Sequence, residues 1–121
     1  MNIQIKATNL ELTPAIRSYI EKRAASFEKN TQTEEARLEV EVGKISEHHK
    51  SGDVYRAEMH LYLGKQRFYV TAETSDLYAA IDKVRDELVR EMRSDKAKRV
   101  HLLRRGGQKI KDIIRGFYPR K

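Results

Sequence analysis

Between residues 36 and 72 the apolar side chains fall at every second position in three successive runs. Leu38, Val40 and Val42 alternate with Arg37, Glu39 and Glu41. Tyr55, Ala57, Met59, Leu61 and Leu63 alternate with Arg56, Glu58, His60 and Tyr62, and Phe68, Val70 and Ala72 alternate with Arg67, Tyr69 and Thr71. A two-residue period puts the apolar members of a run on one face of an extended strand and the polar members on the other. Each run therefore has one face to bury. The polar stretch SEHHKSGD separates the first two runs, and Gly64-Lys65 between the last two suits a two-residue hairpin. The pattern predicts three antiparallel strands in a meander.

The flanks complete the pattern. Ile3, Ile5 and Ala7 alternate with Gln4, Lys6 and Thr8 and predict a further strand. Thr13-Pro14 is a helix-start signal, because threonine caps free amides and proline lacks an N–H where none is needed. Ile16, Ile20, Ala24 and Phe27 then share one face of a helix over residues 14–29. Leu77, Ile81, Val84, Leu88 and Met92 repeat at helical spacing, with Ser75 or Asp76 as the cap, and this second helix runs at least to Arg99 and at most to Arg104 before Gly106-Gly107 breaks it. The order is β-α-β-β-β-α. With one apolar face per strand, the expected α+β solution is a four-stranded sheet with both helices packed on one side.

A chain of 121 residues supplies one core, so a single domain over residues 1–104 is expected, followed by a basic, flexible tail over residues 105–121. In that tail Ile110, Ile113, Ile114 and Phe117 share one side of a short basic segment, marginal as an isolated helix and expected to order only on binding. There is no cysteine, and no apolar run of signal-peptide or membrane-spanning length; the expectation is a cytoplasmic protein.

Charge is distributed unevenly. Residues 1–92 carry 14 Lys+Arg against 16 Asp+Glu, whereas residues 93–121 carry 11 against 2, so the net charge of +7 comes from the C-terminal part. Such a segment favours a polyanion, nucleic acid or an anionic membrane surface, through release of condensed counterions. On the second helix, Lys83, Arg90 and Arg93 point away from the core, but Asp86 and Glu87 lie nearby, and a solvated charged face is the better reading there. Past Met92, Arg93, Lys96, Lys98, Arg99, Arg104 and Arg105 face only Asp95, a density that calls for a compensating polyanion.

No catalytic constellation is present. Glu47, His48, His49 and Asp53 cluster in a loop, but adjacent residues rarely point at one metal, and a solvated loop is the better reading. There is no glycine-rich phosphate loop and no nucleophile elbow. Tyr62 and Tyr69 should share the open face of the sheet, where rings can stack on bases, yet Glu39, Glu41 and Glu58 share it too and favour ordinary cross-strand packing.

The stretch TSDLYAAIDKVRDEL resembles the most characteristic segment of the ribosome hibernation-promoting factor, or sigma-54 modulation, family, and MNIQIKATNLELTPAIRSYIEKRAASFEK is similar to that family's first strand and helix. The resemblance covers roughly residues 1–100. It implies a fold akin to a double-stranded-RNA-binding domain and a role without catalysis: occupying the messenger and transfer RNA path in the decoding cleft of the small ribosomal subunit, thereby halting translation. Its partners would be that subunit and its ribosomal RNA, with no cofactor, no small-molecule substrate, no membrane, and a monomer off the ribosome. The family's RNA-facing basic positions carry over to Arg17, Lys22 and Arg23 on the first helix and Arg90, Arg93 and Lys96 on the second, with Lys83 and Arg85 beside them. Glu87 and Asp95 depart from the family's basic pattern. The second domain with which long members pair two ribosomes has no counterpart here, so direct pairing of ribosomes is not expected. A general RNA-binding module, and a regulator docking on protein or membrane through the basic amphipathic tail, are the alternatives.

Overall fold

The computed structural model describes residues 1–27, 35–45 and 52–114, with side chains described as far as Lys98 and at His101. In chain order the elements are β1 (Asn2–Thr8), α1 (Pro14–Ala25), β2 (Ala36–Ile45), β3 (Val54–Leu63), β4 (Gln66–Thr74) and α2 (Leu77–Ile114). One four-stranded sheet has the order β1-β2-β3-β4. The expected α+β architecture is the one observed.

The meander β2-β3-β4 is antiparallel throughout, and its last turn is the two residues Gly64-Lys65. Gly64 has φ +59°, a backbone conformation at the first turn position that matches the twist of the flanking strands and that glycine adopts without strain. β1 pairs with β2 in parallel, from Asn2 opposite Arg37 to Thr8 opposite Gly43. A parallel pair cannot be closed by a tight turn, so α1 provides the crossover.

One face of the sheet is buried. Leu38, Val40, Val42, Ala57, Met59, Leu61, Val70 and Ala72 form the core with Ile16, Ile20 and Ala24 of α1 and Leu77, Ala80, Ile81, Val84 and Leu88 of α2. Apart from Ala80, these are strand and helix positions that the two periods single out. Both helix starts are capped. Thr13 Oγ1 accepts from the Ile16 amide at 3.2 Å with Pro14 in the first turn, and Asp76 Oδ2 accepts from the Ala79 amide at 2.8 Å, which makes Asp76 rather than Ser75 the cap.

Two boundaries differ from expectation. α1 stops at Ala25, four residues short of Lys29, because Ser26 closes it: its amide and its hydroxyl both bond to the Arg23 carbonyl, at 3.2 and 2.6 Å. Phe27 stays buried beyond the helix, and residues 28 and 29 lie outside the described residues. In α2 the helix does not break at Gly106-Gly107 but runs on to Ile114. Each glycine costs about 1 kcal/mol relative to alanine inside a helix but keeps its N–H donor, and only proline removes one. The flanking Leu, Arg, Gln and Lys residues are good helix formers. Residues 105–114, expected to order only on binding, are thus helical in backbone; residues 115–121, including Phe117, lie outside the described residues. By compactness the chain divides into Met1–Arg90 and Glu91–Lys121.

Candidate nucleic-acid interface

Within Met1–Arg90, α1 and α2 are joined by a closed polar network. The Tyr19 hydroxyl donates to the Asp82 carboxylate, with its oxygen 2.8 and 2.9 Å from the two carboxylate oxygens. Arg23 Nε donates to Asp82 Oδ1 at 2.6 Å, and Arg23 Nη2 donates to the Tyr19 phenol oxygen at 2.8 Å. The Arg23 guanidinium also lies 4.3 Å from the centre of the Tyr19 ring, which meets Tyr78 edge-on at 4.8 Å. Beside this network Arg85 donates to Ser26 Oγ at 2.8 Å and pairs with Asp86 at 2.7 Å.

The electrostatics follow from the geometry. Burial raises the Asp82 pKa, but the hydrogen bonds from Arg23 and Tyr19 outweigh it and hold the carboxyl below its ordinary 3.8. Burial first, and then the bond to Asp82, push the Tyr19 phenol above 10.0, so it remains a donor. A carboxyl depressed by folding stabilises the fold fully above its unfolded pKa and loses that contribution as pH falls through the folded value. The difference in urea midpoint between the wild type and Asp82→Asn is therefore expected to shrink as pH is taken from about 7 to about 2. A constant difference over that range would show that ionised Asp82 does not support the fold.

The candidate basic residues fall into two groups. Arg23, Arg85 and Arg90 have acidic partners, the last in Glu87 at 3.2 Å. Arg17 and Lys22 on α1 and Lys83 on α2 are exposed and have no acidic partner among the described residues. In Glu91–Lys121, Arg93, Lys96 and Lys98 are likewise exposed without an acidic partner among the described residues, and the intervening Asp95 is engaged elsewhere. The side chains of Arg99, Arg104 and Arg105 lie outside the described residues, although their backbone is helical. In each unit, then, three exposed cations without an acidic partner among the described residues are available to a phosphate backbone.

Residues 3–100 match the family described as Sigma 54 modulation protein / S30EA ribosomal protein. The chain belongs to this family.

Its curated relatives include proteins named ribosome hibernation promoting factor from Klebsiella oxytoca, 26% identical over 99 residues and covering 81% of this chain and 96% of the relative, and from Azotobacter vinelandii, 26% identical over 113 residues and covering 93% and 96%. A ribosome hibernation promotion factor from Picosynechococcus is 26% identical over 98 residues, which span 81% of this chain but only 50% of that relative. Among solved structures, the N-terminal domain of Protein Y from Thermus thermophilus superposes with a TM-score of 0.60 at 36% identity, covering 73% of this chain and 91% of that one. A ribosomal subunit interface protein from Coxiella burnetii shares the fold, with a TM-score of 0.63 at 19% identity over 80% and 99% of the two chains. The sigma 54 modulation / S30EA family is one of non-enzymatic ribosome-binding proteins.

The sheet of this family member also carries side chains that partner one another. On the open face of the sheet, Tyr62 stacks on His60 at 4.4 Å and carries the Arg37 guanidinium at 4.2 Å, while Tyr69 meets His60 edge-on at 5.6 Å and donates to Glu58 at 2.9 Å. Tyr62 is thus engaged by His60 two residues along its own strand and by Arg37 across the β2–β3 pair. Asp53 pairs with Lys44 at 3.4 Å, while Glu47, His48 and His49 lie outside the described residues. Among the described residues no His, Cys, Asp and Glu group could hold a metal, and no helix is long and apolar enough to cross a membrane.

Sequence reasoning missed the network between the helices. A signal was present in the helical angle: at about 100° per residue Arg23 falls only about 20° from Ile16, on the flank of the buried stripe, whereas Lys22 falls well outside it. A cation on that flank needs a partner. Which carboxylate supplies it, across 59 residues of sequence, is visible only in the fold.

Proposed function

We propose that this chain is a ribosome hibernation factor that binds the small ribosomal subunit through its ribosomal RNA, sits in the decoding cleft where messenger and transfer RNA would pass, and thereby stops translation. It acts in the cytoplasm as a monomer off the ribosome, without a cofactor or small-molecule substrate. The observation that carries this reading is the family match over residues 3–100, which takes in the sheet from Ile3 onward, α1 and α2 as far as residue 100, together with Arg17, Lys22, Lys83, Arg93, Lys96 and Lys98, exposed cations with no acidic partner among the described residues. Cations without internal counter-ions release bound salt from RNA at the least cost to the fold. The names of the Klebsiella and Azotobacter relatives, which this chain matches over nearly their whole length, support the same role. The basic segment from Arg99 onward, with Arg104 and Arg105, adds salt-sensitive affinity to a footprint set by the folded part, and residues 105–121 follow the RNA beyond it. Pairing of two ribosomes by this chain alone is not part of the proposal.

Sedimentation with purified ribosomes through sucrose at low salt tests the binding, and translation of a defined message by those ribosomes tests the inhibition. The expected results are co-sedimentation with the small subunit and arrested synthesis at molar excess of the protein. Ribosomes that translate at full rate with the protein in excess would end the proposal, and binding displaced by bulk single-stranded RNA would turn it into general RNA binding.

A further inference from the structure

We propose that Arg23 is a positioning residue and not an RNA contact: with Tyr19 and Asp82 it clamps α1 to α2 and so fixes the spacing between Arg17 and Lys22 on one helix and Lys83 on the other. The inference rests on the ribosome-binding reading above and departs from the role that family resemblance assigns to Arg23.

Three observations carry it. Tyr19, Arg23 and Asp82 form a closed triangle in which each group bonds to the other two, at 2.6 to 2.9 Å. The guanidinium gives Nε to Asp82 and Nη2 to Tyr19, and its central carbon lies 4.3 Å from the centre of the Tyr19 ring, so a phosphate would have to compete with a carboxylate already at 2.6 Å and approach that negative charge as well. Arg17, Lys22 and Lys83, by contrast, carry no such neighbour among the described residues. Arg85 ties the end of α1 to α2 in the same way, through Ser26 Oγ at 2.8 Å.

The functional consequence comes from the ligand. Phosphates of folded RNA are held at set positions, and a binder whose cations are already at matching positions does not lose affinity to ordering them. A flexible single strand has no such positions and adapts to either arrangement of the helices. The clamp therefore separates recognition of folded RNA from attraction to polyanions in general.

The test compares the wild type, Asp82→Asn, Arg23→Gln and the double variant, using isolated small ribosomal subunits and poly(U) as probes over a series of salt concentrations. Asp82→Asn is expected to weaken subunit binding about threefold to tenfold although it removes a negative charge beside the interface, and to leave poly(U) binding unchanged. Arg23→Gln is expected to weaken subunit binding to a similar degree with the same salt slope as the wild type, and the double variant to be no weaker than either single one. Tighter subunit binding by Asp82→Asn, or a slope reduced by about 0.7 to 0.9 in Arg23→Gln, would overturn the proposal, because each is the signature of a direct phosphate contact. Amide hydrogen exchange on the free proteins provides a second reading: faster exchange of residues 14–25 in Asp82→Asn, with β2 and β3 unchanged, supports the clamp, and unchanged exchange in α1 overturns it. If the wild type fails to bind subunits, the ribosome reading falls, and with it the functional half of this inference, while the exchange measurement still decides whether the clamp exists.

Discussion

Replacing Arg93, Lys96 and Lys98 together by glutamine is expected to lower affinity for the small ribosomal subunit by a few hundredfold at about 0.1 M salt, and to reduce the slope of log affinity against log salt by about 2.1 to 2.7. The magnitude follows from counterion release. Each lost phosphate contact removes about 0.7 to 0.9 from the slope, which at that salt is about fivefold to eightfold in affinity, and three contacts multiply. Glutamine has a helix propensity close to those of the side chains it replaces, and all three sites are exposed, so the fold should be unaffected. Thermal unfolding measured on the same samples checks that point. A slope unchanged within experimental error would mean that these side chains do not meet phosphate, and the RNA footprint would then have to lie on Arg17, Lys22 and Lys83.

The second large effect concerns the fold. Phe27→Ala is expected to destabilise the protein by about 3 to 5 kcal/mol, the usual cost of removing a buried phenyl group and leaving a cavity. Phe27 is 1% exposed and lies in the turn that closes α1, its amide bonded to the Ala24 carbonyl at 3.2 Å, so its ring contributes through packing. Small domains are stable by about 5 to 15 kcal/mol, so this single change removes a large share of the total. In urea the midpoint should fall by about 2 M or more. A shift below about 0.5 M would show that the site collapses around the missing ring.

The asymmetry between these two predictions reflects how the chain is built. Stability comes from the apolar face of the sheet and two helical stripes within Met1–Arg90, whereas the surplus positive charge lies in Glu91–Lys121. Charge neutralisation in the second should therefore spare folding, and core truncation in the first should remove folding and binding together.

Sequence periodicity identified the elements and their faces. The two-residue alternation in β2, β3 and β4 and the spacing of Leu77, Ile81, Val84 and Leu88 each specify which side chains are buried, because side-chain direction depends only on position along a regular element. Caps were legible for the same local reason, at Thr13 and, to within one residue, at Ser75 or Asp76, of which the structure uses Asp76. The ends of α1 and α2 were not. Ser26 closes α1 through bonds to a carbonyl three residues back, a choice open to many serines, and Gly106-Gly107 weakens a helix without forbidding it.

What the sequence determined by itself was the α+β element order, the buried faces and the concentration of positive charge toward the C-terminus, all of which follow from residue type and local spacing. Tertiary structure decided that β1 lies parallel to β2 at the edge of the sheet, and which basic side chains already have partners. Arg17 and Arg23 look alike in the sequence, but Arg17 is exposed with no acidic partner among the described residues, whereas Arg23 is held by Asp82. The reason is physical: a charge's availability depends on the nearest opposite charge in space, and for Arg23 that charge lies 59 residues along the chain and 2.6 Å away.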